Sequence, residues 1–335
     1  MFLNFTKLNF LLLLMFSTLI SISSNNWLGC WIGLEINLLS FIPLISNNKN
    51  MLSSEASLKY FMAQVIASMN FLFIIIIMML NMKYINNILQ ILLNSTLLMK
   101  MGAAPFHFWF PNIIEGLSWF NCFILMTWQK ITPMILLSYF YNYNYLIIIS
   151  MMSLIIGCLG GLNQISLRKL MSFSSISHLS WMILAMLINI NMWNFYFSFY
   201  FFMMMIMCLM FYFLNTFHLN QLFIIKMNPL SKIILMMNLL SLGGLPPFLG
   251  FLPKWSIINT FMYFNMNLMI LILVIFTLIT LFYYIQICYS FFFICNMKLK
   301  WNYFFSKNKI LNYLYYMSFI SLSCLLLSTF NYYIL

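Results

Sequence analysis

Aspartate is absent from this sequence, arginine occurs once (Arg168), and the acids are three glutamates, Glu35, Glu55 and Glu115. Charged residues make up 5% of the 335. A soluble domain carries about 25%, so a soluble globular fold is excluded. The net charge of +12 does not point to nucleic acid either. Its 15 cations are spread through a chain that is 64% hydrophobic, and binding nucleic acid needs them gathered into a patch. The seven cysteines (30, 122, 158, 208, 288, 295 and 324) include no C-x-x-C pair. Neither a metal cluster nor a disulfide framework is indicated. Met1-Phe-Leu-Asn-Phe-Thr-Lys7 is neither Arg-rich nor followed by a small-residue cleavage site, and reads as the start of a retained span. The scarcity of Arg and Asp, beside plentiful Phe, Ile, Asn, Tyr, Lys and Met, follows A/T-rich codons and points to an organellar gene.

What the chain has instead is apolar length. It reads as eleven apolar segments, at about 5–24, 27–46, 56–80, 85–117, 118–140, 145–163, 166–188, 192–218, 230–264, 267–295 and 310–334. Short Asn-, Ser- and Lys-rich loops join them, and no hydrophilic domain intervenes. The expected fold is an all-α polytopic membrane protein, one membrane domain over residues 1–335.

Two of the segments are too long for one span and too short for two, since a straight crossing takes about 20 residues. Both carry helix breakers. Gly102-Ala-Ala-Pro105-Phe106-His-Phe-Trp-Phe-Pro111 lies in the fourth segment and Gly244-Leu-Pro-Pro247-Phe248-Leu-Gly-Phe-Leu-Pro253 in the ninth. They share the pattern G-x-x-P-F-x4-P, which predicts a broken helix at each. Irregular backbone at membrane depth survives only where protein or a water-filled cavity surrounds it. The matching positions predict two five-helix repeats, 5–140 and 145–295, followed by a terminal helix at 310–334. An odd number of spans inverts the second repeat, the architecture of many secondary transporters.

With the N-terminus on one side and the chain alternating, that side receives Lys7, Lys49, Lys59, Arg168, Lys169, Lys226, Lys232, Lys298, Lys300, Lys307 and Lys309. The other receives Lys83. The cation-rich side is therefore the inside, matrix or cytoplasm, and the C-terminus lies outside.

Three lysines remain for the membrane: Lys100, Lys130 and Lys254. Intramembrane charge marks a transport path by default. For Lys130 the plain alternative is snorkelling to the interface. It lies about 12 residues from either end of its segment, so roughly 16–18 Å of helix separates it from water. That is beyond a lysine's reach. Lys100 can simply complement the negative end of a half-helix. Glu35, inside the second segment, is either a neutral hydrogen-bonded carboxyl or a partner for a lysine, and a paired acid is the less costly burial. His178, with Ser174 on the same helix face, is a packing histidine or a proton relay. His107 at the first break caps freed backbone, His218 is interfacial, and Glu55 and Glu115 are solvated. The Met203–Met207 run is lipid- or core-facing filler.

Several motifs carry a family resemblance: Gly33-Leu-Glu-Ile-Asn37, Glu55-Ala-Ser-Leu-Lys-Tyr60, Lys100-Met-Gly-Ala-Ala-Pro-Phe-His-Phe-Trp109, Thr127-Trp-Gln-Lys-Ile-Thr-Pro133, Gly160-Gly-Leu-Asn-Gln-Ile and Gly243-Gly-Leu-Pro-Pro-Phe. Over about residues 27–255 they resemble, in order, the antiporter-like subunits of the membrane arm of mitochondrial respiratory complex I. The version is the insect-like subunit 2 branch. The resemblance implies a proton-translocating NADH:ubiquinone oxidoreductase in the mitochondrial inner membrane, where the cation tally then puts the N-terminus in the matrix and the C-terminus in the intermembrane space. It implies that Glu35 pairs with Lys100, and that Lys130 passes protons toward Lys254; His178, on its own reading as a relay, is placed in the same proton path. A lysine at position 254 looks like subunit 2, because subunit 4 carries glutamate there. NADH, flavin, iron–sulfur clusters and ubiquinone fall to other subunits, so no cofactor is expected in this chain. Expected partners are the other membrane-arm and accessory subunits and lipids, with no nucleic acid. Bacterial and plant relatives have fourteen spans, and this chain begins at what would be their fourth. From the residues alone, a self-sufficient cation/proton antiporter and a structural membrane scaffold stay open beside the redox-driven subunit.

Overall fold

In an apolar solvent a chain must satisfy its own backbone, and among the described residues nearly all of it does so as helix. The computed structural model describes residues 5–46, 50–80, 86–224, 229–294 and 318–319. The terminal helix expected at 310–334 falls almost wholly outside them. So do Lys49, Lys83, Lys226, Lys298, Lys300, Lys307 and Lys309 of the charge tally.

Fourteen helices are described: α1 (Phe5–Ser23), α2 (Trp27–Ile45), α3 (Met51–Leu80), α4 (Asn86–Met101), α5 (Trp109–Ile114), α6 (Trp119–Met126), α7 (Trp128–Tyr139), α8 (Tyr143–Gly161), α9 (Leu167–Ile188), α10 (Ile190–Leu214), α11 (Leu219–Ile224), α12 (Pro229–Gly243), α13 (Phe251–Tyr263) and α14 (Asn267–Ile294). Among the described residues, eight spans are long and apolar enough to cross a membrane, α6 and α7 together counting as one. The protein is thus an all-α polytopic membrane protein. Both over-long segments break where the G-x-x-P-F motif stands, α4 from α5 and α12 from α13.

The chain divides into two compact units, Met1–Met152 and Ser153–Leu335. In the first, α2 packs on α1 and α3, α3 also meets α4 and α5, and α7 packs against α1, α4 and α6. Side-chain amides tie these helices. Gln129 Nε2 donates to Asn37 Oδ1 at 2.9 Å, joining α7 to α2. Asn121 Nδ2 donates to the Leu44 carbonyl at 2.8 Å.

In the second unit α9 packs on α10 and α13, while α12, α13 and α14 pack together. Of the α9 span 83% is buried, against 28% for α14. The buried serines of α9 look after themselves. Ser172, Ser174, Ser175, Ser177 and Ser180 each donate to the carbonyl three residues back, at 2.6–2.8 Å.

Two details depart from the sequence expectation. The segment 118–140 is not one unbroken helix, because Thr127 interrupts it with φ −117° and ψ −69°. Its hydroxyl donates to the Phe123 carbonyl at 2.6 Å. Pro133 lacks the N–H that would bond Gln129, which loosens the next turn as well. The segment 192–218 ends early, at Leu214, because Asn215 turns left-handed at φ 52°, and α11 follows where a loop was expected. Within the methionine-rich run, Met203, Met204, Ile206 and Met207 are buried, and Met205 points outward.

Candidate functional site

A helix that stops inside a membrane leaves carbonyls without partners, and the two breaks solve this in the same way. At the first, the Ala103 N–H returns to the Leu98 carbonyl at 3.1 Å and the Gly102 N–H to Met99 at 3.2 Å. At the second, the Leu245 N–H returns to Leu240 at 3.4 Å and the Gly244 N–H to Ser241 at 3.0 Å. The pairing of residues five apart and three apart is a Schellman-type ending. It requires a left-handed residue, and Gly102 (φ 73°) and Gly244 (φ 86°) supply it.

Around the first break, Lys100 stands in the last turn of α4 with 6% of its surface exposed. Glu35, half-buried on α2, is close enough to interact electrostatically with its amine. The two do not close to ion-pair distance. On the exposed face of α3, by contrast, Lys59 and Glu55 do pair, at 2.6 Å. Gln64 Nε2 donates to the Lys100 carbonyl at 3.2 Å, so α3 takes up one of the carbonyls freed by the break. His107 Nδ1 faces the Pro105 carbonyl at 3.2 Å, the capping place expected for it. Lys130, on α7, is 1% exposed, and its ammonium lies 5.5 Å from the centre of the Phe110 ring. Burial at that level excludes snorkelling. Glu115 is half-buried rather than fully solvated, as its place at the end of α5 allows, and His218 is exposed.

Around the second break, Lys254 lies in the first turn of α13, 6% exposed. Its Nζ reaches back across the break and donates to the Gly243 carbonyl at 2.9 Å. The side chain passes over Gly244, where an added Cβ would lie 3.0 Å from Nζ and 3.1 Å from Cδ. The cation thus caps the negative end of α12. His178 on α9 is buried and shares a hydrogen bond of 2.8 Å with the Tyr196 hydroxyl on α10. The Tyr200 ring lies 5.2 Å from the imidazole, and its hydroxyl engages Ser175. A void of about 10 Å³, about the space of one water, is lined by His178, Tyr196, Tyr200, Gly250 and Pro253 among others. It puts His178 beside the residue that precedes Lys254.

The structure therefore brings Glu35 to Lys100 in the first unit and His178 to the second break in the second. Lys130 is buried as expected, its amine on α7 facing the Phe110 ring of α5. Sequence reasoning passed over Gln64, Tyr196, Tyr200, Tyr283 and Tyr284. A signal existed for the α10 tyrosines, whose spacing of four puts them on one helix face. No group of three His, Cys, Asp or Glu suited to a metal occurs among the described residues.

Known proteins resemble this chain. The family model described as NADH:quinone oxidoreductase/Mrp antiporter, TM, matches residues 24–280. The chain is 53% identical over 298 residues to NADH-ubiquinone oxidoreductase chain 2 of Anopheles gambiae, covering 87% of each chain. It is 51% identical over 333 residues to the protein of the same name from Aedes aegypti, covering 97% of this chain and 98% of that one. A chain of respiratory complex I from Thermus thermophilus, solved with bound Aureothin, matches with a TM-score of 0.78 at 20% identity, covering 95% of this chain and 78% of that one. At that identity the likeness speaks for the fold.

Proposed function

Because the chain belongs to the NADH:quinone oxidoreductase/Mrp antiporter membrane family, we propose that its buried lysines carry protons across the membrane. The chain is an antiporter-like membrane-arm subunit of a proton-translocating NADH:ubiquinone oxidoreductase, a multi-pass inner-membrane protein whose partners are the other subunits of that complex. The finer assignment is ours. Glu35, Lys100, Lys130, His178 and Lys254 form the titratable path, and NADH, flavin, iron–sulfur clusters and ubiquinone are handled elsewhere in the complex.

The observation that carries this reading is the burial of Lys130. A central lysine costs about 2.5–3.5 kcal/mol on insertion scales, and a scaffold gains nothing by holding one at 1% exposure. An amine without full hydration holds its proton only as well as its surroundings allow. Each protonation then alters the cost of the next. Redox energy released in other subunits shifts these pairings and moves protons along the path. The matching Schellman-type turns at the two breaks support inverted five-helix repeats, each carrying one break.

The test is proton uptake per NADH oxidised in vesicles holding the assembled complex with Lys130→Met or Lys254→Met. Methionine keeps volume and removes the proton site, so assembly survives while uptake falls. Normal uptake in both variants sinks the proton path and returns the scaffold. On the charge tally, the N-terminus faces the matrix and the C-terminus the intermembrane space. An impermeant amine label added to mitochondria stripped of their outer membrane leaves Lys59 and Lys169 unmodified. Strong labelling there reverses the orientation.

A further inference from the structure

The helix α14 is an apolar span of 28 residues, yet it places two tyrosines side by side deep in the second unit. Tyr283 and Tyr284 are 2% and 1% exposed, and their ring centres lie 4.5 Å apart. Neither hydroxyl closes a well-formed hydrogen bond. The Tyr284 hydroxyl stands close to those of Ser174 and Tyr283 without good geometry to either. A buried O–H so poorly matched is costly, where phenylalanine would fill the same space without that penalty.

The two rings are seated against glycines. A Cβ added at Gly161 would meet Tyr283 Cε1 at 2.9 Å, and one added at Gly243 would meet Tyr284 Cδ2 at 3.3 Å. Gly243 is the residue whose carbonyl receives the Lys254 amine. The Tyr284 hydroxyl stands beside that of Ser174, on α9 one turn before His178. The Cys158 thiol interacts electrostatically with Lys254, Tyr283 and Tyr284 alike, so all three lie within its reach. Polar side chains therefore run from the imidazole face of α9, across α14, to the lysine at the break.

We propose that Tyr283 and Tyr284, with Ser174, are the proton lead between the His178 face of α9 and Lys254. The inference rests on the proton-path reading above and adds residues to it. In each transfer a hydroxyl oxygen takes a proton as its own O–H proton leaves for the next acceptor, with bound water spanning the gaps. An O–H forms for each one that breaks, so no tyrosinate accumulates. The lysine ammonium that starts the sequence ends as an amine, and the acceptor at the α9 end gains one proton. Running the steps in reverse recharges the lysine.

The experiment compares Tyr283→Phe, Tyr284→Phe, the double variant and Lys254→Met in the assembled complex reconstituted in vesicles. Proton uptake per NADH is read beside NADH oxidation with the membrane made leaky to protons. Phenylalanine keeps the rings, so the tyrosine variants assemble, and the readout is the ratio of uptake to oxidation rather than either rate alone. Uptake per NADH falls in the double variant to the level of Lys254→Met. A merely structural role would lower both rates together and leave their ratio unchanged, which overturns the assignment. Wild-type uptake in the assembled double variant overturns it too. If the double variant does not assemble, Ser174→Ala carries the test, because it leaves both rings and removes the hydroxyl facing Tyr284. Lost coupling there supports the lead and normal coupling rejects it. Normal uptake in Lys254→Met defeats the lead, and with normal uptake in Lys130→Met it defeats the underlying proton path as well. Low uptake there beside normal uptake in the tyrosine variants defeats only the lead.

Discussion

The two breaks share a backbone and differ in how they hold their lysine. Both end a half-helix with a left-handed glycine and the same pair of returning N–H groups. At the first, the lysine precedes the break and the nearby opposite charge is a carboxylate, Glu35, on another helix. At the second, the lysine follows the break, and its direct partner is the end of the helix just left. A full counter-charge and a helix dipole are different kinds of support. The dipole amounts to about half a charge that never titrates, whereas a carboxylate can itself change state. The first lysine therefore answers to what happens on α2, and the second to the shape of its own break.

The largest effect that would sharpen this contrast comes from the glycines. Replacing either by alanine forces a left-handed residue, at roughly 1–2 kcal/mol. Gly102→Ala also presses on Phe110, and Gly244→Ala on the lysine itself. Assembled complex on native gels should drop for both. Proton uptake per NADH in what assembles should drop for Gly244→Ala and hold for Gly102→Ala. Equal losses of coupling in the two would break the comparison.

Next comes Glu35→Gln, which keeps shape and removes the counter-charge of Lys100. Coupled turnover should fall on the order of tenfold, corresponding to about 1.4 kcal/mol. Glu35→Asp should recover part of it. Coupled turnover within about twofold of the unmodified complex would mean that Lys100 does not depend on the acid. The smallest effect is that of the amide ties. Gln64→Ala frees the Lys100 carbonyl and Asn37→Ala cuts the link to Gln129, each worth about 1 kcal/mol of stability. Thermal inactivation should come at lower temperature in both variants, with uptake per NADH intact. A coupling defect in Asn37→Ala would make that bond part of the path.

Much of this could be read in advance, because helix breakers act locally. Glycine and proline interrupt a helix whatever surrounds them, so both breaks were visible as a motif in an over-long apolar run. The approach of Glu35 to Lys100 was expected from the family resemblance and from the expense of burying a lone acid. The interruption at Thr127 was not visible, since a threonine inside a helix more often leaves it intact. Nor was the hold of Lys254 on Gly243, because a side chain's direction across a break depends on how the two half-helices meet. Tyr283 and Tyr284 sat unnoticed in an aromatic-rich span. Only packing against Gly161, Gly243 and α9 distinguishes them from the tyrosines that face lipid.

The serines of α9 bear on how the protein is made. A hydroxyl that bonds its own helix three residues back is satisfied before any neighbour arrives. That lets a helix so rich in serine enter the membrane singly, at a mean hydropathy of 1.5 over its window. Docking is a separate matter, since 83% of that window ends up covered. Insertion and burial of α9 are thus two events in biogenesis, the first needing no partner helix and the second awaiting α10 and α13. A chain stalled between them would leave His178 facing lipid, an exposed imidazole for membrane quality control to recognise.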